Sequence, residues 1–258
     1  LFRRQRQMCI RDRLKIAAHF YNHNMATHPD AFSAVMFGKI LDEEHRKALV
    51  WDVERGAPNR ILDKPWQTCT CLGGWHYETA IYEKNWYKSS AQVVRFLADV
   101  VSKNGNLLLS VPLRADGTFD EKEERIINEI GEWMSVNGEG IYSTRPWHIF
   151  GEGPIAGSDI AINAQGFNEG AYLNAGADEI RFTQTPKHLY AIVLAWPGDN
   201  RVCVKTLGKN SAYFKKNIKN VELLGYGKVK CRQEADGLVI NIPDDAPKGI
   251  APVFRIRK

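Results

Sequence analysis

The stretch Val100 to Gly117, VVSKNGNLLLSVPLRADG, constrains the fold most. A helix ends in it, the chain turns at Asn104-Gly105, an apolar run follows from Leu107 to Val111, and a second turn closes it. A strand that is apolar on both faces must be covered on both. That is the situation of a strand between the interior and the outer helices of a (β/α) barrel. The helix before it has Ser89 as its cap and Val93, Phe96, Leu97, Val100 and Val101 at helical spacing. The helix after it begins at Asp120, with Glu123 at the capping-box position. Its stripe is Ile126, Ile127, Ile130, Trp133 and Met134, and Asn137-Gly138 stops it.

Upstream, Leu14 to Met25 reads as a helix with Ala17, Ala18, Tyr21 and Met25 in register, and Ala34 to Ile40 as a short buried strand. Asp42 to Ala48 reads as a polar helical turn, and Leu49 to Glu54 as a strand with Asp52 and Glu54 on one face and Trp51 and Val53 on the other. Strands and helices alternating across short turns predict a parallel α/β architecture. The pattern changes after Trp147. Residues 151–177 are rich in Gly, Ala and Asn and lack a helical period. Seven short strands then follow: Ile180 to Thr183, Leu189 to Trp196, Val202 to Thr206, Val221 to Leu224, Lys228 to Arg232, Leu238 to Ile242 and Val253 to Ile256. Turns such as Pro197-Gly198 and Asp236-Gly237 separate them, which predicts an antiparallel β-sandwich over 148–258.

The first thirteen residues, LFRRQRQMCIRDR, stand apart. From Arg3 they resemble the translation of a transposon adapter used in preparing sequencing libraries, so 1–13 is set aside as a non-native segment. With it goes most of the basic balance. The chain has 35 Lys+Arg, 30 Asp+Glu and a net charge of +5. Without five arginines and one aspartate, 30 Lys+Arg stand against 29 Asp+Glu, a net of +1. Nothing in that balance calls for nucleic acid as a partner. No apolar run approaches the ~20 residues of a membrane span. Cys69, Cys71, Cys203 and Cys231 have no zinc spacing and read as free thiols.

Barrel active sites lie at the C-terminal ends of the strands, where Glu54 falls. On pattern alone Glu54 is an exposed carboxylate pairing with Arg55 or Arg60. Asp52 shares its face, roughly 6.5–7 Å along the strand. His19 and His23 have the spacing of two metal ligands, but no third is evident, and no metal is expected. Asn104-Gly105-Asn106 lacks the lysine and further glycines of a phosphate loop and reads as a turn.

WDVERG (51–56), PWQTCTCLGGWHY (65–77), SKNGNLLLSVPLRADG (102–117), IGEWMSVNGEGIYSTRPW (130–147) and VLAWPGDN (193–200) together resemble glycoside hydrolase family 29, the α-L-fucosidases. The resemblance covers nearly all of residues 14–258. It implies the C-terminal part of a (β/α)8 barrel over 14–147, then a β-sandwich. The activity it implies is retaining exo-α-L-fucosidase, passing through a covalent fucosyl-enzyme with no metal or organic cofactor. A fucosylated glycan would be the substrate, and a periplasmic or secreted location is expected. Glu54 becomes the candidate acid/base. Asp52, Trp66, Gln67, Trp75, His76 and Tyr77 become candidate substrate-binding residues. Many relatives carry Glu where this chain has Gln67, which cannot donate a proton as an acid. The family's nucleophile is an aspartate on an earlier barrel strand, so none is assigned here. The chain alone is expected to be inactive and poorly soluble, with strand edges unpaired. Two other readings remain open. One is a non-catalytic carbohydrate-binding protein, and the other a small glycosidase using Asp52 and Glu54, since retaining pairs stand about 5–5.5 Å apart.

Overall fold

The apolar run after Asn104 forms a strand at one edge of its sheet, and only one of its two faces is covered: Leu107 and Leu109 are half-buried against the helices, whereas Leu108 on the other face is 54% exposed. In the computed structural model, which describes residues 2–162 and 166–258, β1 (Phe37–Gly38), β2 (Val50–Glu54), β3 (Trp66–Cys71) and β4 (Gly105–Ser110) form a four-stranded parallel sheet in chain order. Consecutive parallel strands in chain order are what part of a (β/α) barrel shows. α1 (Phe2–Thr27) precedes them, and α2 (Thr79–Lys84) and α3 (Ser90–Ser102) connect β3 to β4. α4 (Glu121–Asn137) follows. No helix among the described residues is long and apolar enough to cross a membrane.

Both α3 and α4 are capped by the expected residues, but the capping box forms at Ser89 and not at Asp120, where Glu123 does not return to the cap. Ser89 accepts from Gln92 N, and the Gln92 side chain returns to Ser89 N, a complete capping box. Asp120 accepts from the backbone N–H of Lys122 and Glu123. Glu123 is buried there, and burial together with the Asp120 charge pushes its carboxyl up to about 7.

Two expectations near the start need correcting. α1 runs through the adapter-like segment, whose side chains, Asp12 apart, lie outside the described residues. Of its predicted stripe, Ala17 is buried and the Tyr21 hydroxyl donates to Ala48 O, while Ala18 and Met25 stay exposed. The predicted strand from Ala34 to Ile40 shrinks to two residues, with Val35 and Phe37 exposed. Ile40 takes the left-handed conformation (φ 50°), which stops an extended run. β3, which was not expected as a strand, pairs along its full length with β4.

The connection from β2 to β3 contains no helix. Its outer face is covered from far along the chain. Ile155, Ile160, Ile162, Tyr172 and Leu173 pack against Trp51, Val53, Trp66 and Phe96. The covering segment includes α5 (Gly170–Leu173) and follows β5 (Arg145–Glu152).

β5 opens an eight-stranded antiparallel sheet. Its other strands are β6 (Ile180–Gln184), β7 (His188–Val193), β8 (Arg201–Val204), β9 (Val221–Leu223), β10 (Gly227–Gln233), β11 (Leu238–Asn241) and β12 (Val253–Arg257). All seven strands expected downstream of residue 178 are present. The two layers of the expected sandwich belong to one continuous sheet, ordered β5-β6-β7-β12-β9-β10-β11-β8. It curls around one core that takes side chains from β6 and β7 at one end and β11 and β8 at the other. Glu152, at the end of edge strand β5, accepts from Lys205 N (2.7 Å) and Thr206 N (2.8 Å) just beyond edge strand β8. The two edges are thereby joined.

Between the two sheets lies a buried quartet of charges. Asp99 binds Lys103 (2.6 Å) and Arg181 (2.6 Å), and Arg181 binds Glu179 (2.8 Å). Burial pulls the Lys103 ammonium down, against the attraction of Asp99.

Candidate active site

The alternation of β2 turns Trp51 and Val53 to the packed outer face and Asp52 and Glu54 to the open inner one. Parallel register then builds rows across the sheet. Asp52 stands beside Gln67 and Asn106, and Glu54 beside Cys69 and Leu108. Such rows are the layers that fill a barrel interior. Glu54 ends its strand, so its row lies toward the C-terminal mouth.

Both carboxylates share one cation that the sequence reading missed. Lys39, just after β1, has its Nζ 2.6 Å from Glu54 Oε2 and 3.1 Å from Asp52 Oδ2. It also donates to Cys69 Sγ at 3.0 Å. Burial alone would lower this ammonium, but its hydrogen bonds to Cys69, Glu54 and Asp52 outweigh that and hold it well above the usual lysine range. The Cys69 thiol lies 3.4 Å from Glu54 Oε2, and burial pushes it up, so it stays protonated. Gln67 Nε2 donates to Asp52 Oδ1 at 3.3 Å. Glu54 therefore pairs with Lys39 rather than with Arg55 or Arg60.

Arg55 turns the other way. It has a left-handed backbone (φ 47°), and its Nε donates to Glu169 Oε1 at 2.7 Å. Glu169 is buried, lies 3.3 Å from Lys88 Nζ, and accepts from Thr70 Oγ1 at 2.5 Å. The backbone of the same segment donates from Phe167 N to Glu54 O (2.7 Å) and from Glu169 N to Arg55 O (2.9 Å). The end of β2 is thus held from the distant segment that covers its outer face.

The candidate sugar-binding residues divide. Gln67 joins the carboxylate row. Trp75 and His76 are exposed in the loop leaving β3 at the C-terminal side. Tyr77, half-buried in that loop, lies against Arg114. Trp66 is placed elsewhere. It faces the outer helices at 1% exposure, with its indole N–H donating to Lys103 O (2.9 Å), so it cannot contact a ligand of the inner face. No group of three or more His, Cys, Asp or Glu that could hold a metal occurs among the described residues.

What this arrangement offers is a carboxyl group at a barrel mouth with an adjustable cation beside it, suited to moving a proton to and from an oxygen. Comparison with known proteins shows the family. Residues 11–139 match the family model described as "Alpha-L-fucosidase", and residues 174–257 the one described as "Alpha-L-fucosidase C-terminal domain". The plasma alpha-L-fucosidase of Pongo abelii is 27% identical over 198 residues, covering 74% of this chain and 36% of its own length. Among solved structures, one alpha-L-fucosidase superposes with a TM-score of 0.62 at 23% identity, over 82% of this chain and 43% of that one. Isoenzyme 1 from Paenibacillus thiaminolyticus gives 0.57 at 25% identity, over 81% and 44%. The chain thus spans between a third and a half of the length of these relatives. With both family regions matched in order on the fold just described, this chain belongs to the α-L-fucosidase family, glycoside hydrolase family 29.

Proposed function

We propose that this chain is the later part of a retaining exo-α-L-fucosidase that removes terminal α-L-fucose from glycans, and that Glu54 is its acid/base. The observation that carries this reading is the position of Glu54: inward-facing, at the C-terminal end of a parallel strand, with its carboxylate against Lys39.

In the first step the Glu54 carboxyl gives its proton to the glycosidic oxygen. An aspartate from an earlier barrel strand attacks the anomeric carbon, and the C–O bond to the aglycone breaks. In the second step the Glu54 carboxylate takes a proton from water, and that water's oxygen displaces the aspartate and releases fucose. Glu54 must therefore alternate between charged and neutral forms. Lys39 lies within ion-pair distance of Asp52 as well as Glu54, so it keeps a carboxylate partner when Glu54 carries its proton. Asp52 acts in this scheme as a counter-charge. Asp52 and Glu54 project from the same face of one strand, so together they would approach a sugar from one side. A retaining pair flanks the anomeric carbon from both.

The test uses the whole protein, this chain joined to its upstream part. It is expected to hydrolyse an aryl α-L-fucoside, and this chain alone to hydrolyse none. Glu54→Ala is expected to slow an unactivated fucoside by roughly 10²–10⁴-fold, the usual contribution of acid–base catalysis. Azide is expected to restore turnover of an activated substrate. An unchanged rate on the unactivated substrate removes Glu54 from the role.

A further inference from the structure

Outside the carboxylate row, the C-terminal rim carries a second concavity. It has a volume of about 690 Å³ and is lined by residues just past the C-terminal ends of β2 and β3, by the connection from α2 to α3 and by the covering segment. Arg55, Lys88 and Glu169 line it, and Trp86, Asn85 and Phe167 stand around it. The two strands it adjoins, β2 and β3, are the central ones of the parallel sheet.

Three features of this cleft point to a ligand. The first is strain: Arg55 (φ 47°) and Phe167 (φ 60°) are left-handed without being glycine, whereas the left-handed Asn85 (φ 53°) is simply the C-cap of α2. For a bulky aromatic residue that conformation is costly, and such residues concentrate at ligand clamps. The second is aromatic exposure. Phe167 is 57% and Trp86 62% exposed, although both adjoin a cavity that could have buried them. Lys84 Nζ lies 4.4 Å from the centre of the Trp86 ring and orients it. The third is the polar complement. Glu169 pairs with both cations and so neutralises one of the two charges, and among the described residues the Asn85 amide and the Trp86 indole N–H have no hydrogen-bond partner. Aromatic faces that accept the C–H face of a pyranose, beside donors and an amide that match its hydroxyls, are the chemistry of saccharide recognition.

We propose that this cleft binds a hexose or N-acetylhexosamine unit of the glycan that bears the fucose, stacked on Trp86 and Phe167. The inference rests on the fucosidase reading of the adjoining mouth. It adds to that reading a site for the part of the substrate that is not cleaved.

Two measurements test it. This chain is titrated with N-acetyllactosamine, which contains no fucose, while tryptophan emission is followed. Saturable binding is expected, weakened about tenfold in Trp86→Ala and in Phe167→Ala. Thermal midpoints should not move, because both rings are largely exposed. In the whole protein, Trp86→Ala is expected to raise KM for a fucosylated N-acetyllactosamine about tenfold and to leave hydrolysis of an aryl fucoside unchanged. Absence of saturable binding, equal binding by both variants, or a parallel loss on the aryl substrate overturns the proposal. A whole protein that cleaves neither fucoside contradicts the proposed function instead, and the titration of this chain still decides the cleft.

Discussion

Two groups of paired charges in this chain use the same chemical parts in opposite ways. Asp99, Lys103, Glu179 and Arg181 are at most 1% exposed, and they join α3 to the curled sheet. Every charge there has a fixed partner, and two positive groups meet two negative ones. Lys39, Asp52 and Glu54 form an odd set in which one ammonium serves two carboxylates, and the Lys39 side chain is 39% exposed. A balanced, enclosed set holds a single arrangement. An unbalanced one can change partners, as the proton transfer proposed for Glu54 requires. Sharing of charge, more than its presence, separates scaffold from site.

Mutations in the two regions should therefore differ most in stability. Asp99→Ala strands two buried cations with only Glu179 and is expected to cost about 3–5 kcal/mol in chemical denaturation. A cost near zero would mean that the quartet is not closed in solution. Next in size is Gly105→Ala. The new methyl would sit 2.5 Å from Trp66 Cε2 and 2.8 Å from Val100 Cγ1, with an expected loss of about 1–3 kcal/mol. Glu123 sharpens the contrast, since it is as buried as the quartet but has another carboxylate, Asp120, beside it in place of a cation. The folded chain keeps this proton up to about 7, above the ordinary 4.5. Stability should therefore fall as pH rises across that window and level off above it. Glu123→Gln should flatten this slope and match the parent chain at low pH; thermal midpoints measured across the range would show a persisting slope if the assignment were mistaken. The smallest effect is expected at the candidate site. Glu54→Gln should lower stability in chemical denaturation by about 1 kcal/mol, because Lys39 is partly exposed and keeps Asp52 as its partner.

The parts that proved legible in the sequence are those whose partners are close along the chain. The cap at Ser89, the stripe of α3 and the shared face of Asp52 and Glu54 all follow from spacing over a few residues. β3 was missed because alternating Thr and Cys carries little strand signal. Lys39 was missed for a related reason: the strand that positions it is two residues long, so its neighbours do not reveal which way it faces. Glu169 offered no local cue at all, being 114 residues from the arginine it holds. Trp66 shows the converse limit. A motif identifies which residues belong together, but which face of β3 each occupies is decided by strand parity, and parity sends Trp66 outward and Gln67 inward.

The helix-free crossover between β2 and β3 sets an order of assembly. Its covering comes from residues beyond 153, so a ribosome must add about a hundred amino acids after Glu54 before that flank can close. Until then Trp51 and Trp66 are covered only by nearer neighbours such as Leu49, Phe96 and Val100. The downstream half is thus a late-arriving part of the same packed unit, and exchanging it for a foreign domain would strip the rear wall from the strand that carries Glu54.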